Sequence, residues 1–502
     1  MRHWRRSASA ALAVLALGGC AGTASVEPTI SEAAVPAVPS TAITHGVIEV
    51  RGQAIAYRAE ASEMLMRNAA GDPRATIFSI AYLADGADAA TRPVSFLFNG
   101  GPGGATIALR EGLSPRMPVN GETAGSFRYV DNPDSLIDAT DLVFVDAPGT
   151  GYGRFFGEGA SAEYWGVEED AAAITAFIDQ WLAEHGRIGA PVFLVGESYA
   201  GVRVGLVAER LAAQAEPLKV RGVALISPST TAGRRASGPP DQSAADQAAI
   251  LAVPSRAAAA QFHGRGAHLG APVEVLAEQA LAFARGPYVQ ALTEGEGIDP
   301  ARKQAVAAEL AGYLGLSEQT ILEADLRPSN NDFVLKLLAD RQERIGGSDA
   351  RAHAPTAITE TREPPYNDPS TSPYTLNYDL TEAVEHLTRE EIGYRPTNDY
   401  VRLSIEANRA WNWDVPGGTI SIPMLFKRLM AADPGLRLTL MTGYYDLTIP
   451  YMRPVSDYLA ADLPPDRFEN AVFRTGHAVF SDDAGRQASS DHLRAFYARA
   501  LP

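Results

Sequence analysis

The sequence predicts an α/β fold with a mostly parallel central sheet and helices on both of its faces. Short apolar runs of the buried-strand type recur along the chain, most of them followed by Gly-rich turns, at 94–99, 142–146, 192–196 and 222–227. Helical stretches lie between these runs, and in 168–185 the apolar residues recur on one face at helical spacing. Two earlier runs, 46–58 and 75–84, predict a leading pair of antiparallel strands.

A mainly helical block interrupts this alternation. From about residue 230 to 391 few strand-like runs occur, and strand-like sequence returns at 436–442 and 467–473. A helical block inserted into an α/β sheet is a natural cap over an active site. The predicted organisation is a signal peptide, a tether, a core in two parts and a cap between them, at 1–20, 21–43, 44–230 with 392–502, and 231–391.

The first 20 residues have the pattern of an export signal. Three of the first six residues are arginines, and the apolar stretch 10–17 that follows is too short to span a bilayer as a helix. The stretch leads into Leu-Gly-Gly-Cys, ending at Cys20, which resembles the lipobox of bacterial lipoproteins, where the cysteine becomes the lipidated first residue. Residues 21–43 are rich in Ala, Ser, Thr, Val and Pro and predict a disordered tether. We therefore expect an exported periplasmic or cell-surface lipoprotein, in the outer membrane if the host is Gram-negative.

Composition excludes some classes of partner. The formal net charge is −17, from 43 basic and 60 acidic residues, which argues against a nucleic-acid partner. No other segment is long and apolar enough to cross a membrane, so we expect membrane contact through the lipid anchor alone. Because Cys20 is the single cysteine, no intrachain disulfide can form. We expect neither a metal nor a cofactor.

A strand-to-helix turn carries the first chemical signal. The buried run 192–196 continues through Glu197 to Ser198, and the helical stretch 202–214 follows. This is the setting of a nucleophile elbow, in which a tight turn lifts a serine hydroxyl above the sheet. The strict pattern G-x-S-x-G has its last glycine one place late here, after the small Ala200. The alternative is a serine that only caps the following helix.

A nucleophilic serine needs a base, and the base needs an orienting acid. Among nine histidines, His477 stands out because it follows the strand-like run 467–473 in a short Thr-Gly-His loop. Asp446 likewise follows the run 436–442. The order Ser198, Asp446, His477 is that of the α/β-hydrolase fold, with each residue at the carboxyl end of a strand. The sequence therefore predicts an α/β-hydrolase with this triad and a helical cap.

Acyl transfer also needs hydrogen-bond donors for the developing oxyanion. One donor should be the backbone N–H after the nucleophile, that of Tyr199, and a second should come from a loop after an earlier strand. The candidate loop is 99–104, Asn-Gly-Gly-Pro-Gly-Gly, since glycines let backbone N–H groups approach a ligand closely. A phosphate-binding loop is disfavoured because no Gly-Lys-Ser/Thr follows, and an ordinary turn requires fewer glycines.

Three segments carry a family resemblance. They are Phe-Leu-Phe-Asn-Gly-Gly-Pro-Gly at 96–103, Asp-Leu-Val-Phe-Val-Asp-Ala-Pro-Gly-Thr-Gly-Tyr at 141–152, and Gly-Glu-Ser-Tyr-Ala-Gly at 196–201. They resemble the serine carboxypeptidases, and Asp446 and His477 fall where that family has its Asp and its Gly-His. The resemblance covers roughly residues 50–495, including a stretch of the cap, 251–264, that looks like bacterial members.

The resemblance implies roles for five further residues. It implies oxyanion donors at Gly101 and Tyr199. It also implies that Asn99, Gly100 and Glu197 hold the terminal carboxylate of the substrate.

The sequence departs from the family in three respects. The cysteines of the family, and hence its disulfides, are absent. Ala478 replaces the Met that usually follows the catalytic His and lines the pocket for the leaving residue. The family carboxylate that partners Glu197 is matched by Glu111 about one residue out of register. Glu197 itself ends a buried strand, so we expect it to be desolvated and neutral, and able to donate a hydrogen bond to a carboxylate.

The leading hypothesis is a peptidase that removes C-terminal residues from peptides through an acyl-enzyme on Ser198. One alternative keeps the triad but acts as an esterase or acyltransferase, as some plant relatives do. Another is a surface lipoprotein that binds peptides on an inactive fold, against which the intact triad argues. Glu197 and Asn99 favour a peptide substrate, because both are placed to bind a carboxylate.

Overall fold

The computed structural model describes residues 40–233, 242–362, 366–371, 375–376 and 378–501. The predicted signal peptide, Cys20 and the tether as far as residue 39 lie outside these ranges. The strands are β1 (Thr41–Val50), β2 (Gln53–Arg67), β3 (Pro73–Ala84), β4 (Val94–Phe98), β5 (Arg116–Asn120), β6 (Phe127–Asp131), β7 (Asp141–Asp146), β8 (Val192–Glu197), β9 (Val220–Ile226), β10 (Thr231–Gly233), β11 (Glu343–Ile345), β12 (His353–Pro355), β13 (Thr419–Ser421), β14 (Arg437–Gly443) and β15 (Phe468–Phe473).

The α-helices are α1 (Ala108–Leu113), α2 (Val167–Glu184), α3 (Ala200–Ala212), α4 (Gln242–Phe262), α5 (Val273–Phe283), α6 (Val289–Glu294), α7 (Pro300–Leu314), α8 (Glu318–Glu323), α9 (Asn330–Lys336), α10 (Thr356–Thr359), α11 (Leu380–His386), α12 (Ile405–Ala410), α13 (Ile422–Ala432), α14 (Met452–Ala460) and α15 (Asp483–Ala500). Short 3₁₀ or π helices lie at Leu136–Asp138, Ala160–Glu163, Ala284–Tyr288, Gly295–Gly297, Ala339–Arg341 and Leu387–Glu391. None of the helices in the described ranges has the length and apolarity needed to cross a bilayer.

Nine strands form the central sheet, in the order β1-β2-β3-β7-β4-β8-β9-β14-β15. Every neighbouring pair from β7 to β15 is parallel, whereas β1, β2, β3 and β7 pair antiparallel. The predicted mostly parallel sheet is therefore confirmed. Its parallel half brings the carboxyl ends of β4, β8, β14 and β15 to one edge, where ligands bind in open α/β sheets.

The amino-terminal edge of the sheet differs from its prediction. The run 46–58 is two strands, because the chain reverses at Arg51 and Gly52, which both have positive φ, of 52° and 77°. β1 also begins earlier than expected: residues 41–43, assigned from the sequence to the tether, pair with β2. As an edge strand with mostly exposed or half-exposed side chains, β1 is held by its backbone ladder, which leaves little hydrophobic signal in the sequence.

Alternate residues of each strand face two separate apolar layers. On β4, Phe96 points into the layer formed with α2 and α3, and Leu97 points into the layer formed with α15. The apolar face predicted for 168–185 is the buried face of α2. There Phe177 and Trp181 pack edge-to-face on Phe96, with ring centroids 6.4 and 5.4 Å away.

Helices α4 to α9 lie in the predicted cap, and their apolar side chains continue the layer that contains Phe96. The end of the predicted cap behaves differently. In residues 380–391, Val384 and Leu387 are buried in the opposite layer, with Leu97 and the residues of α15. This segment therefore packs with the sheet, and its assignment to the cap is wrong. Helical periodicity shows that one face is buried, but it does not show which surface buries it.

Replacement of Phe177 by Ala should lower the free energy of unfolding by about 3–5 kcal/mol, because it empties the fully buried site between α2 and β4. Urea denaturation followed by circular dichroism measures the change. Ile188→Ala is the control: Ile188 is 68% exposed, so its loss should change stability by less than about 0.5 kcal/mol. Equal effects of the two substitutions would contradict the described packing of α2.

Candidate active site

Ser198 sits on a sharp turn between β8 and α3. Its φ is +62°, in the left-handed region that is strained for a non-glycine residue, and its N–H donates to the carbonyl of Ile226 on β9, 2.9 Å away. The packing of the turn also explains why the last glycine of the motif lies one place late. A Cβ on Gly201 would lie 2.5 Å from the Cβ of Pro228, so this position, rather than that of Ala200, requires glycine. The geometry is that of a nucleophile elbow.

His477 and Asp446 meet at the same edge of the sheet. Asp446 follows β14 and His477 follows β15, and Nδ1 of His477 lies 2.7 Å from Oδ2 of Asp446. The other carboxylate oxygen, Oδ1, accepts the N–H groups of Thr448 and Ile449 at 2.8 and 2.9 Å. Both oxygens of the buried Asp446 are thus engaged, which holds the imidazole with Nε2 directed away from the acid.

Two contacts fix the backbone of His477. Its N–H donates to the carbonyl of Ser348, in the segment that follows β11, at 2.6 Å. Its carbonyl accepts the hydroxyl of Ser227, at the end of β9, at 2.8 Å. Burial lowers the pKa of His477, but the charge of Asp446, the hydrogen bond to it and the charge of Glu197 together raise this pKa above its usual range. Only the neutral imidazole can accept the hydroxyl proton of a serine, so any change that lowers this pKa towards neutral pH favours general-base catalysis.

The Gly-rich loop predicted to supply an oxyanion donor lies directly against the elbow. An added Cβ on Gly100 would stand 2.6 Å from the backbone nitrogen of Tyr199, 2.7 Å from the carbonyl oxygen of Glu197 and 2.8 Å from Cβ of Ser198. Among the described residues, neither the N–H of Gly101 nor that of Tyr199 donates to a protein acceptor. The two N–H groups predicted as oxyanion donors therefore lie on two backbone segments in direct contact.

A buried ion pair, not identified from the sequence, holds this loop. The guanidinium of Arg203, on α3, makes a two-point contact with Asp170 on α2, at 2.7 and 3.0 Å. A third nitrogen of Arg203 donates to the backbone carbonyl of Asn99 at 3.0 Å. The sequence contains one signal of this contact, an arginine two residues after the Tyr-Ala-Gly of the elbow, in a helix whose first two turns are otherwise apolar and buried.

Asp146, at the end of β7, holds the other end of the loop. Its Oδ1 accepts the N–H of Thr106 at 2.6 Å and its Oδ2 accepts the hydroxyl of Tyr400 at 2.8 Å. The hydroxyl of Thr106 in turn lies 3.2 Å from the N–H of Asn99 and accepts from it. These polar contacts fix the loop from Asn99 to Thr106 at both of its ends. Asp146 lies in a segment that carried the family resemblance, but its spacing alone assigned it no role.

Two carboxyl groups with raised pKa values face Ser198. Nδ2 of Asn99 donates to Oε1 of Glu197 at 2.7 Å, while Oε2 of Glu197 is buried without a partner. Burial raises the pKa of Glu197 to about 7, although His477 and Asn99 oppose the rise. Glu111, on α1, also has a buried oxygen without a partner, Oε1, and burial raises its pKa to about 7. The expected neutral Glu197 is thus consistent with its surroundings near and below pH 7.

The two glutamates and Ser198 line one cleft of about 570 Å³, which we call the leaving-side cleft. Ser198 and His477 line its floor beside Asn99, Gly100 and Gly101. Its apolar walls include Met117, Tyr378, Ala478 and Phe480. Ala478, which departs from the family pattern, therefore faces the cleft, and its small side chain leaves room there. Within the described ranges, no group of three or more His, Cys, Asp or Glu residues is arranged to hold a metal ion.

Replacement of Gly100 by Ala should lower kcat/KM by on the order of 100-fold, because the added methyl group would force the loop away from Tyr199 and displace an oxyanion donor. Steady-state kinetics on an activated ester measure the loss, and circular dichroism checks that the variant is folded. Gly270→Ala is the matched control, since nothing lies within 4 Å of its added Cβ. Unchanged kcat/KM in a folded Gly100→Ala variant would refute the close contact between loop and elbow.

Comparison with known proteins found a matching family model and a solved structure with a similar fold. Residues 75–247 match the family model of the serine carboxypeptidases. The fold is similar to the crystal structure of Kex1(delta)p, a prohormone-processing carboxypeptidase from Saccharomyces cerevisiae, with a TM-score of 0.50, 14% sequence identity, and coverage of 88% of this chain and 91% of that chain.

More distant likenesses involve other hydrolases. A soluble variant of monoglyceride lipase from Saccharomyces cerevisiae matches with a TM-score of 0.36 and 11% identity, over 91% of this chain and 97% of that one. A putative hydrolase from Agrobacterium vitis matches with a TM-score of 0.34 and 14% identity, over 90% and 98%. By its fold and its family match this protein is a serine hydrolase of the α/β-hydrolase fold, whose residues 75–247 carry the sequence pattern of the serine carboxypeptidase family.

Proposed function

We propose that this protein is a serine carboxypeptidase, which removes C-terminal residues from peptides through an acyl-enzyme on Ser198. One observation carries the proposal: a carboxyl group with a raised pKa, that of Glu197, is held by Asn99 beside Ser198 in the lining of the cleft, and its second oxygen is buried without a partner. An enzyme that hydrolyses neutral esters has no need of such a group. A peptide with a free C-terminus presents a carboxylate that this group can bind.

The proposed reaction uses the triad in two steps. His477 accepts the proton of the Ser198 hydroxyl as its oxygen attacks the scissile carbonyl, and the N–H groups of Gly101 and Tyr199 donate to the oxyanion that forms. The C–N bond then breaks, and His477 gives the proton to the departing amino group. In the second step a water molecule, deprotonated by His477, attacks the acyl-enzyme and releases the shortened peptide and Ser198. Asp446 keeps the imidazole in the orientation that both transfers require.

The protonation state of Glu197 links substrate binding to this chemistry. Because Oε1 accepts from Asn99, the proton of the neutral acid resides on Oε2, from which it can be donated to the substrate carboxylate. An ionised Glu197 would repel the same carboxylate. It would also hold His477 more firmly in its protonated form, since the charge of Glu197 raises the pKa of His477. Neutral Glu197 therefore favours both binding and general-base catalysis.

Comparison of a blocked dipeptide with its C-terminal amide tests the proposal. Below pH 7 Glu197 is mostly neutral, so KM for the acid should be lower than KM for the amide. Above pH 7 Glu197 ionises, and the ratio of KM for the acid to KM for the amide should rise by up to about tenfold for each pH unit. His477 acts on both substrates alike, so its titration cancels in the ratio.

Glu197→Gln keeps a hydrogen-bond donor and removes the ionisation, so its KM ratio should rise less with pH. Any rise that persists should disappear in a Glu111→Gln, Glu197→Gln double variant, because Glu111 has the other raised pKa in the cleft. Ser198→Ala, which lacks the nucleophile, sets the background rate. Identical pH profiles of the ratio for wild type and Glu197→Gln would rule out a role in carboxylate recognition. Efficient turnover of esters with no preference for a free C-terminus would favour an esterase or acyltransferase.

For the cellular location, we propose that Cys20 carries lipid and holds the protein at a membrane face, the outer membrane if the host is Gram-negative. The support for this proposal is the sequence pattern at residues 10–20.

Replacement of Cys20 by Ser should release soluble protein or block processing of the signal, because the thiol that accepts the lipid is gone. Cell fractionation followed by immunoblotting measures the distribution. Ser25→Ala, in the predicted tether, should leave the distribution unchanged. If the Cys20→Ser variant sediments with membranes as the wild type does, the anchor is elsewhere.

A further inference from the structure

A second cavity, of about 510 Å³, adjoins the triad away from the carboxyl groups, and we call it the acyl-side cavity. Its wall includes Ser229, whose N–H donates to the carbonyl of Ser198 at 3.0 Å, and Trp413, whose ring packs edge-on against Tyr199 with centroids 5.7 Å apart. Thr448 and Ile449, which hold Asp446, complete the wall near the triad. A peptide whose C-terminal residue occupies the leaving-side cleft has this cavity available for the residues that precede the scissile bond.

A third cavity, of about 330 Å³, is adjacent to the acyl-side cavity, since Pro450 and Arg453 line both. It lies between α4 of the cap and the start of α14, and we call it the arginine cavity. Three arginines line it, Arg256, Arg327 and Arg453, and no carboxylate does so among the described residues. The concentration of positive charge is unusual in a chain whose formal net charge is −17.

The three arginines differ in how far their charge is compensated. Arg327 pairs with Asp246 and Asp325 at 2.6 and 2.9 Å. Arg453 is exposed, and within the described ranges no carboxylate lies within ion-pairing distance of it. The cavity therefore carries uncompensated positive charge on the side that faces the acyl-side cavity.

Arg256 is the most unusual of the three, because its side chain is buried and no carboxylate of the described residues lies within ion-pairing distance, although the charge of Asp332 acts on it. The residue is 7% exposed, its Nη1 donates to the carbonyl of Pro328 at 2.8 Å, and its Nε has no hydrogen-bond partner. The ring of Phe333, 5.6 Å from the guanidinium carbon, provides a cation–π contact but no hydrogen-bond acceptor. Burial of a cation is costly unless an anion or acceptors compensate it. The geometry therefore leaves room for an anion supplied from outside the described chain.

We propose that the arginine cavity binds the carboxylate of an acidic side chain of the peptide substrate, several residues upstream of the scissile bond, through Arg256 and Arg453. The proposal rests on the proposed carboxypeptidase function. The two sites would then bind two different negative charges of one peptide. The neutral acid of Glu197 would bind its C-terminal carboxylate, and the arginines would bind an upstream Asp or Glu. Because Arg453 lines both this cavity and the acyl-side cavity, the occupant we propose is a side chain of a peptide bound next to it rather than a free ion.

The test uses the full-length protein and blocked peptides that differ only by Glu or Gln at one upstream position, varied in turn. Wild type should hydrolyse the best Glu peptide with kcat/KM higher than that of its Gln partner, by on the order of fivefold. Arg453→Gln should abolish this preference, and Arg453→Glu should reverse it. Arg453 is exposed, so neither change should impair folding. Arg428→Gln is the matched control, since Arg428 is exposed and pairs with Glu209 on α3.

Three results of these comparisons would overturn the proposal: wild type with no Glu preference at any position, a preference that survives in Arg453→Gln, or one that falls equally in Arg428→Gln. Acetate tests for a free ion. If, at constant ionic strength, acetate alters hydrolysis of the neutral peptide in wild type but not in Arg453→Gln, and wild type shows no Glu preference, the site takes a free carboxylate only and the proposal is wrong. Hydrolysis of the Gln peptides reports on the carboxypeptidase function itself. If no peptide is hydrolysed, calorimetry on Ser198→Ala decides: tighter binding of the Glu peptide sustains the arginine site, and equal or absent binding refutes it.

Discussion

The contact between the loop after β4 and the elbow after β8 is the constraint on which the site depends. The two strands are neighbours in the sheet, with Phe98 opposite Gly196, so the segments that leave them must pack together. Only a glycine at position 100 allows the approach, because any side chain would meet the backbone of the elbow. This packing places Ser198, which is the predicted nucleophile, both predicted oxyanion donors and Glu197 within a few residues of one backbone contact.

Buried polar groups hold the loop in that contact with the elbow. Arg203 bridges Asp170 on one helix and the carbonyl of Asn99 in the loop, so the two helices that cover the sheet also position the loop. A buried ion pair of this kind adds little net stability, but loss of one partner leaves the other charge buried and costs about 3–5 kcal/mol. The ion pair acts chiefly on geometry, because the loop cannot shift without breaking its hydrogen bond to the buried Arg203.

The position of Glu197 affects both its own protonation state and that of His477. As the last residue of β8 it is carried into the interior with the strand, and burial raises its pKa to about 7. As the neighbour of Ser198 it adjoins the predicted nucleophile and acts electrostatically on His477. In the proposed function, a substrate carboxylate placed near Glu197 would favour its neutral form further.

Much of this could be predicted from the sequence, for a physical reason. Strands buried on both faces are continuous apolar runs, and residues at their carboxyl ends must share one edge of a parallel sheet, so Ser198, Asp446 and His477 could be assigned together. Contacts between distant segments leave no such pattern. The pairing of Asp170 with Arg203, the role of Asp146 and the packing of residues 380–391 on the sheet depend on how helices and loops dock. The start of β1 was missed because an edge strand needs few apolar residues.

The proposed recognition of a substrate carboxylate depends on the protonation state of Glu197, which infrared difference spectroscopy can observe. Spectra of wild type and Glu197→Gln, each recorded across a pH titration, are subtracted to isolate the carbonyl stretch of a protonated carboxylic acid. We expect this band to be present in wild type below pH 7 and absent in Glu197→Gln. In wild type it should be lost as the pH rises through about 7. A wild-type spectrum with no band assignable to Glu197, at any pH down to the usual pKa of a carboxyl group, would show that Glu197 is ionised. That result would contradict the proposed recognition of a carboxylate by neutral Glu197.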